Sequence, residues 1–287
     1  MRNTDSSTRN FSIDVLRGLS IVLVVVHHLA LPFRLPLAQS VIADWLPRRV
    51  ISALGYSGYA SVYVFFVLSG FLIARRALLE YGSLDRINAR QFYLRRCSRI
   101  LPLFFALLAM LCLMHWLQVP EFVINNPNQS LGGALGSALT LQLNWYEGQT
   151  SWLPGAWDVL WSLSIEEMFY LLFPVLCLLL PRQLLILSLL CFVLSLPYTR
   201  AALDGRSIWQ EKAYLPAMSA ISLGVLCAIL ANAWQPSKLF AKLLLGLGVT
   251  ALCGALLFAV ELWRALSHSS LLWIAASAAQ SRLPAQY

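Results

Sequence analysis

The sequence predicts an all-α fold, a polytopic transmembrane helix bundle of about seven to eight spans. Three observations predict it. Hydrophobic residues make up 59% of the chain and charged residues 12%, with a mean hydropathy of +0.69, whereas soluble domains carry about 25% charged residues. Apolar runs near the ~20 residues that a bilayer needs recur along the chain. Lysine and arginine gather between those runs, most densely over 75–99 with seven arginines and two acids, and are absent from 119–156. Helices are expected because open sheets leave backbone groups unsatisfied in lipid. The net charge of +8 therefore sets topology and meets anionic lipid or a phosphorylated substrate, and no nucleic-acid partner is expected.

Residues 1–11 form a polar cytoplasmic tail, and 12–287 a single integral membrane domain. Span 1 covers 12–33. Only sixteen residues separate Arg17 from Arg34, too few to cross, so Asp14 and Arg17 belong inside the helix at its rim. No small-x-small cleavage site follows, which makes this a retained helix rather than a signal peptide. Span 2 (55–74) is rich in Gly, Ser and Tyr and suits close helix packing. Span 3 (100–118) opens with Pro102 in its first turn, where proline is tolerated. Residues 119–156 lie outside, and 131–143 within them is too short to span comfortably and can be re-entrant; a span there would invert every later assignment. Spans 4 to 7 follow at 157–180, 183–198, 213–231 and 243–260, with a charged outer loop at 199–212. Lysine and arginine then number 14 inside and 7 outside, favouring an inside N-terminus. The six cysteines sit mostly in apolar runs without a CxxC pair. They read as small buried hydrophobes rather than metal ligands or disulfides.

Ionisable groups within such runs mark function. His28 lies deep in span 1, and on a helix it shares a face with Arg17 about 16 Å along the axis. It reads either as a packing hydrogen-bond partner or as a general base needing a carboxylate from another helix. His27 points about 100° away. Ser162, Glu166 and Tyr170 form an i, i+4, i+8 polar stripe. Glu166 is the acid to pair with His28 or with an arginine, while Glu167 is expected to be solvated. Arg96 and Arg99, at i and i+3, form a fork suited to phosphates beside Arg95. Ser69, before Gly70 in FFVLSGFLI, reads as packing.

Four motifs in this order resemble the acyltransferase family 3 of integral membrane O-acyltransferases. They are FSIDVLRGLSIVLVVVHHL, GYASVYVFFVLSGFLI, FYLRRCSRILP and WSLSIEEMFYLLFP, all between residues 11 and 174. The resemblance implies transfer of an acyl group, commonly acetyl from acetyl-CoA, to a hydroxyl of a cell-surface glycan or lipid-linked sugar at the bacterial inner membrane. It places His28 as the catalytic histidine and Arg17 as its basic partner. Arg96 and Arg99 match the RxxR pair that would bind the acyl-CoA, and Glu166 the first acid of the EE pair. The expected partners are acyl-CoA, the glycan or lipid-linked acceptor and membrane lipid, with no metal. Family members usually run to about ten spans, so this chain is expected to be short at its C-terminal end. Two alternatives stand beside the enzyme: a transporter or exporter on the same scaffold, and an inactive truncated member.

Overall fold

A computed structural model of the chain describes residues 11–30, 41–47, 50–51, 58–203, 205–234, 237, 239–251 and 254. Among the described residues there is no strand. The helices are α1 (Phe11–Ala30), α2 (Gly58–Tyr81), α3 (Ala89–Trp116), α4 (Leu131–Leu139), α5 (Leu143–Thr150), α6 (Gly155–Asp158), α7 (Leu160–Leu179), α8 (Arg182–Ala202), α9 (Ser207–Lys212) and α10 (Tyr214–Ala233). A shorter apolar helix, α11, covers Leu239–Ala251. Five stretches are long and apolar enough to cross a membrane: Ser61–Tyr81, Ala89–Trp116, Gly155–Leu179, Arg182–Ala202 and Ser207–Ala233. The chain is thus an all-helical membrane protein. Five of the seven to eight expected spans meet that criterion among the described residues, and α1 is a further helix of 20 residues. The expected seventh span overlaps α11, and its last residues lie outside the described ones, as do residues 1–10.

Helix boundaries differ from the sequence expectation over 75–99, where the helices extend into the arginine-rich stretch between the expected spans. The α2 helix runs on through Arg75 and Arg76 to Tyr81, and Gly82, at φ +78°, ends it as a left-handed residue after a helix does. Asn88 caps α3 by accepting from the Gln91 N–H at 3.1 Å, a standard helix start. Arginine is a good helix former, so the RRCSR run continues the helix instead of interrupting it. Pro102 consequently sits in the interior of α3 and not in its first turn. Pro174 and Pro197 are likewise interior, as membrane helices tolerate.

Cross-helix contacts define two ends of the bundle. The His27 ring at the end of α1 lies against Gly58 at the start of α2. Phe66 of α2 meets Trp161 of α7 edge to face at 6.0 Å, and Arg200 late in α8 stands over Tyr63. Asn144 of α5 bonds the Lys212 carbonyl at 3.0 Å. These groups form a tryptophan-rich end. The turn between α2 and α3 and the end of α7 form the opposite, arginine-rich end. The α3 helix leaves and α7 returns at the tryptophan-rich end. The intervening α4 and α5, of 9 and 8 residues, reach only about 14 and about 12 Å. Residues 131–143 are therefore an excursion that does not cross.

Packing centres on α2 and α10. A Cβ on Gly70 would strike the Ile221 carbonyl, and one on Gly224 would strike the Val67 carbonyl. The two backbones touch through reciprocal glycine notches, the small-residue contact that membrane helices use. Phe66, Phe169, Phe173, Ile221 and Val225 fill the core around this joint. A second cluster joins α3, α5 and α6 through Phe104, Leu111, Leu143 and Trp157, with the Trp157 indole donating to the Phe122 carbonyl at 3.0 Å. The cysteine reading needs correction. Cys177 alone is buried among the described cysteines, and Cys97, Cys191 and Cys227 are exposed, all of them free thiols.

Candidate functional site

The polar stripe of α7 faces protein, and it carries a chain of contacts into two other helices. Tyr170, buried, hydrogen-bonds through its hydroxyl to Ser69 of α2 and reaches Glu166 Oε2 at 3.5 Å. Arg96 of α3 stands over the same ring, its Cζ 3.3 Å from the centroid, and its Nη2 lies 3.5 Å from Glu167 Oε1. A guanidinium over an aromatic face is held by the ring quadrupole as well as by its counter-ion. Arg96 Nε is buried with no hydrogen-bond partner. Charged and phenolic groups of α3 and α7 thus converge on one serine of α2.

Two sequence expectations change here. Glu167 is not solvated: its side chain is 17% exposed and paired with Arg96. Ser69 is more than packing, because its hydroxyl ties α2 to Tyr170. The third stripe residue, Ser162, bonds back to the Val159 carbonyl of its own helix.

A second cluster lies at the tryptophan-rich end. Lys212, 1% exposed, places its Nζ 2.7 Å from Glu147 Oε2 of α5 and in contact with Asp158 at the end of α6. The ammonium also lies 4.3 Å from the Trp152 ring centroid and 5.9 Å from that of Trp161. Glu147 accepts from the Leu153 N–H at 3.1 Å as well. Burial pushes the Glu147 carboxyl up, with Lys212 opposing and Asp158 adding to the rise. An ammonium this deep requires such partners.

Among the sequence candidates, Glu166 and Arg96 are brought together around Tyr170. His28 is half-buried at the other end, its ring 5.8 Å from that of His27. Glu166 stands two helical turns beyond Asp158, about 12 Å along the axis. Arg99 is exposed on α3 and Arg17 half-buried on α1. Glu147, Asp158 and Lys212 escaped the sequence reading. A signal existed for Asp158, which continues the Ser162, Glu166, Tyr170 stripe one turn earlier. None existed for Lys212, whose partners are 54 and 65 residues away. Among the described residues, no three His, Cys, Asp or Glu side chains converge as a metal site would need.

Helices of this kind, with ionisable groups turned into the bundle, define an integral membrane protein with a polar interior. The family model described as "Acyltransferase domain", that of acyltransferase family 3, matches residues 10–281. The chain belongs to that family. It is similar to the "Peptidoglycan O-acetyltransferase OatA" of Listeria monocytogenes, 28% identical over 182 residues, covering 61% of this chain and 25% of the relative. It is also similar to the "O-acetyltransferase OatA" of Staphylococcus aureus, 28% identical over 167 residues, or 56% of this chain and 24% of the relative. The match thus spans about a quarter of the length of these relatives. No solved structure matches the chain.

Proposed function

We propose that this chain moves an acyl group, acetyl in the simplest case, from acyl-CoA to a hydroxyl of a cell-surface glycan or lipid-linked sugar. The names of the relatives support O-acetyl transfer. The observation that carries the reading is the convergence of Arg96, Tyr170, Glu166 and Ser69 between three helices. A polar constellation of this cost in a membrane interior is a mark of function.

In this reading the chain sits in the bacterial inner membrane with its N-terminus and arginine-rich end in the cytoplasm. Arg17, Arg96 and Arg99 supply the positive charge for the donor's phosphates. His28 is the general base. It takes the proton of the acceptor hydroxyl as that oxygen bonds to the acyl carbon. The carbon–sulfur bond breaks, and the proton passes to the departing thiolate to give free CoA. Glu166, tethered by Tyr170, balances charge along the path from the arginines. Bringing donor and acceptor together contributes several kcal/mol, and histidine catalysis adds roughly 10²–10⁴-fold.

The test supplies membranes with acyl-labelled CoA. Release of CoA and transfer of label that vanish in His28→Ala, at unchanged protein level, support the enzyme. Transfer retained in that variant removes the imidazole from the mechanism. Movement of acceptor without CoA release supports a transporter instead.

A further inference from the structure

Lys212, Glu147 and Asp158 have no part in the mechanism above, yet they form a buried ionic cluster with an open edge. Glu147 of α5 is 0% exposed and Lys212 of α9 1%. Glu147 also accepts from the Leu153 N–H at 3.1 Å, and Gln129 donates to the Ser151 carbonyl at 2.6 Å. The backbone on either side of Trp152 is therefore pinned. The Trp152 side chain is not covered: the residue is 41% exposed, with the Lys212 ammonium 4.3 Å from its ring centroid.

The same ammonium is in contact with Asp158, whose side chain is 18% exposed. An exposed indole and a partly exposed carboxylate thus meet around one buried cation. Asn144, fully buried one turn before Glu147, donates to the Lys212 carbonyl at 3.0 Å, and its Oδ1 is buried with no hydrogen-bond partner among the described residues. A carboxylate accepts several hydrogen bonds, and Asp158 spends one oxygen on Lys212. Acceptors with capacity left beside an aromatic face suit a ligand rich in hydroxyl donors that also has an apolar C–H face, which is the chemistry of a sugar ring. Tryptophans anchor membrane proteins at the interface in general, but anchoring requires neither a pinned backbone nor a buried ammonium beneath the ring. The histidines of α1 lie at this same end. His27 abuts Gly58 of α2, Phe66 of α2 packs against Trp161, and Trp161 lies 5.9 Å from the Lys212 ammonium.

We propose that Trp152 and Asp158 form the binding site for a saccharide acceptor at the tryptophan-rich end of the bundle. The indole stacks against the C–H face of one sugar ring, and the Asp158 carboxylate accepts hydrogen bonds from its hydroxyls. The buried Lys212–Glu147 pair holds both side chains in register. Hydroxyl-to-carboxylate hydrogen bonds are among the stronger ones, and an indole offers a broad apolar face with few rotatable bonds to order. The acceptor then enters at the end opposite the arginines that hold the donor's phosphates. The proposal rests on the acyltransferase reading.

The experiment uses purified protein in lipid nanodiscs with acyl-labelled CoA. Two acceptor preparations from the source cells are titrated, water-extracted surface polysaccharide and solvent-extracted lipid-linked sugar. Wild type, Trp152→Leu, Trp152→Phe and Asp158→Asn are compared per folded molecule. Asp158→Asn leaves Glu147 as counter-ion for Lys212, so the buried ammonium is not orphaned. The expected result is an acceptor KM raised tenfold or more in Trp152→Leu and in Asp158→Asn, with the donor KM within about twofold of wild type. Trp152→Phe, which keeps a ring, stays within about threefold. A merely structural cluster would lower the melting temperature without separating acceptor KM from donor KM. Where a variant fails to accumulate, Trp152→Met or Asp158→Ser takes its place. A wild-type acceptor KM in either folded variant, or a donor KM that rises equally, overturns the proposal while leaving the acyltransferase reading intact. Absence of His28-dependent CoA release from the wild type with both preparations overturns both.

Discussion

Arg96 stands over the ring of Tyr170 with its Cζ 3.3 Å from the centroid, while the hydroxyl of that ring links Ser69 to Glu166. One aromatic side chain thus joins a cation on α3, an acid on α7 and a hydroxyl on α2. Arg96→Lys keeps the charge but loses the planar stack, worth up to about 2 kcal/mol when desolvated. The expected outcome is a roughly tenfold or greater loss of acyl transfer at near-normal accumulation, measured with labelled acyl-CoA.

Tyr170→Phe retains the ring beneath Arg96 and removes only the hydroxyl. It therefore separates stacking from the hydrogen-bond chain. Loss of the hydroxyl leaves Glu166 without that tether, and a net hydrogen bond to a charged group contributes about 1.5–3 kcal/mol. Turnover should fall by about tenfold or more, and Ser69→Ala, which cuts the far end of the chain, should fall less. Equal turnover in wild type and Tyr170→Phe would argue against the tether.

The glycine notches give a stability prediction independent of the chemistry. Gly70→Ala and Gly224→Ala each drive a methyl into a backbone carbonyl. Overpacking of this kind costs about 1–3 kcal/mol. Thermal unfolding in detergent should show a lower melting temperature for both. Gly132→Ala, with nothing within 4 Å of its new Cβ, should unfold like wild type.

Breaking the buried ion cluster should be more costly. Lys212→Met leaves Glu147 and Asp158 facing each other without a cation, a loss of about 3–5 kcal/mol for a buried pair. Lys212→Met combined with Glu147→Gln should recover part of that loss, since one of the stranded charges is gone. Chemical denaturation of the purified variants measures the difference, and a double variant no more stable than Lys212→Met would contradict it.

Topology is open to direct labelling. Ser83→Cys, in the turn after α2, should react with a membrane-impermeant maleimide in inside-out vesicles and not in right-side-out ones. Asn128→Cys, in the segment before α4, should show the reverse. The same sidedness for both positions would mean that α3 does not cross.

Composition and run length made the helical membrane fold legible, because burial in lipid leaves few other choices. The stripe of Ser162, Glu166 and Tyr170 was legible for the same reason: its partners are one turn apart on one helix. Sequence spacing failed where contacts join distant segments. Lys212 looked like part of a charged outer loop because its carboxylates come from α5 and α6. Glu167 looked solvated because it lies about 100° off the polar stripe of its own helix, and its partner Arg96 comes from another helix. Local chemistry fixed which residues are polar, and only the crossing of helices fixed which of them meet.

The interlocked glycines of α2 and α10 also constrain how the molecule moves. Each notch accepts one carbonyl at one register, so a slip of a single residue, about 1.5 Å, would press a side chain where only hydrogen fits. The two helices are keyed together and shift as one spine. Ser69 is the immediate neighbour of Gly70, so the hydroxyl that anchors Tyr170 rides on this keyed joint.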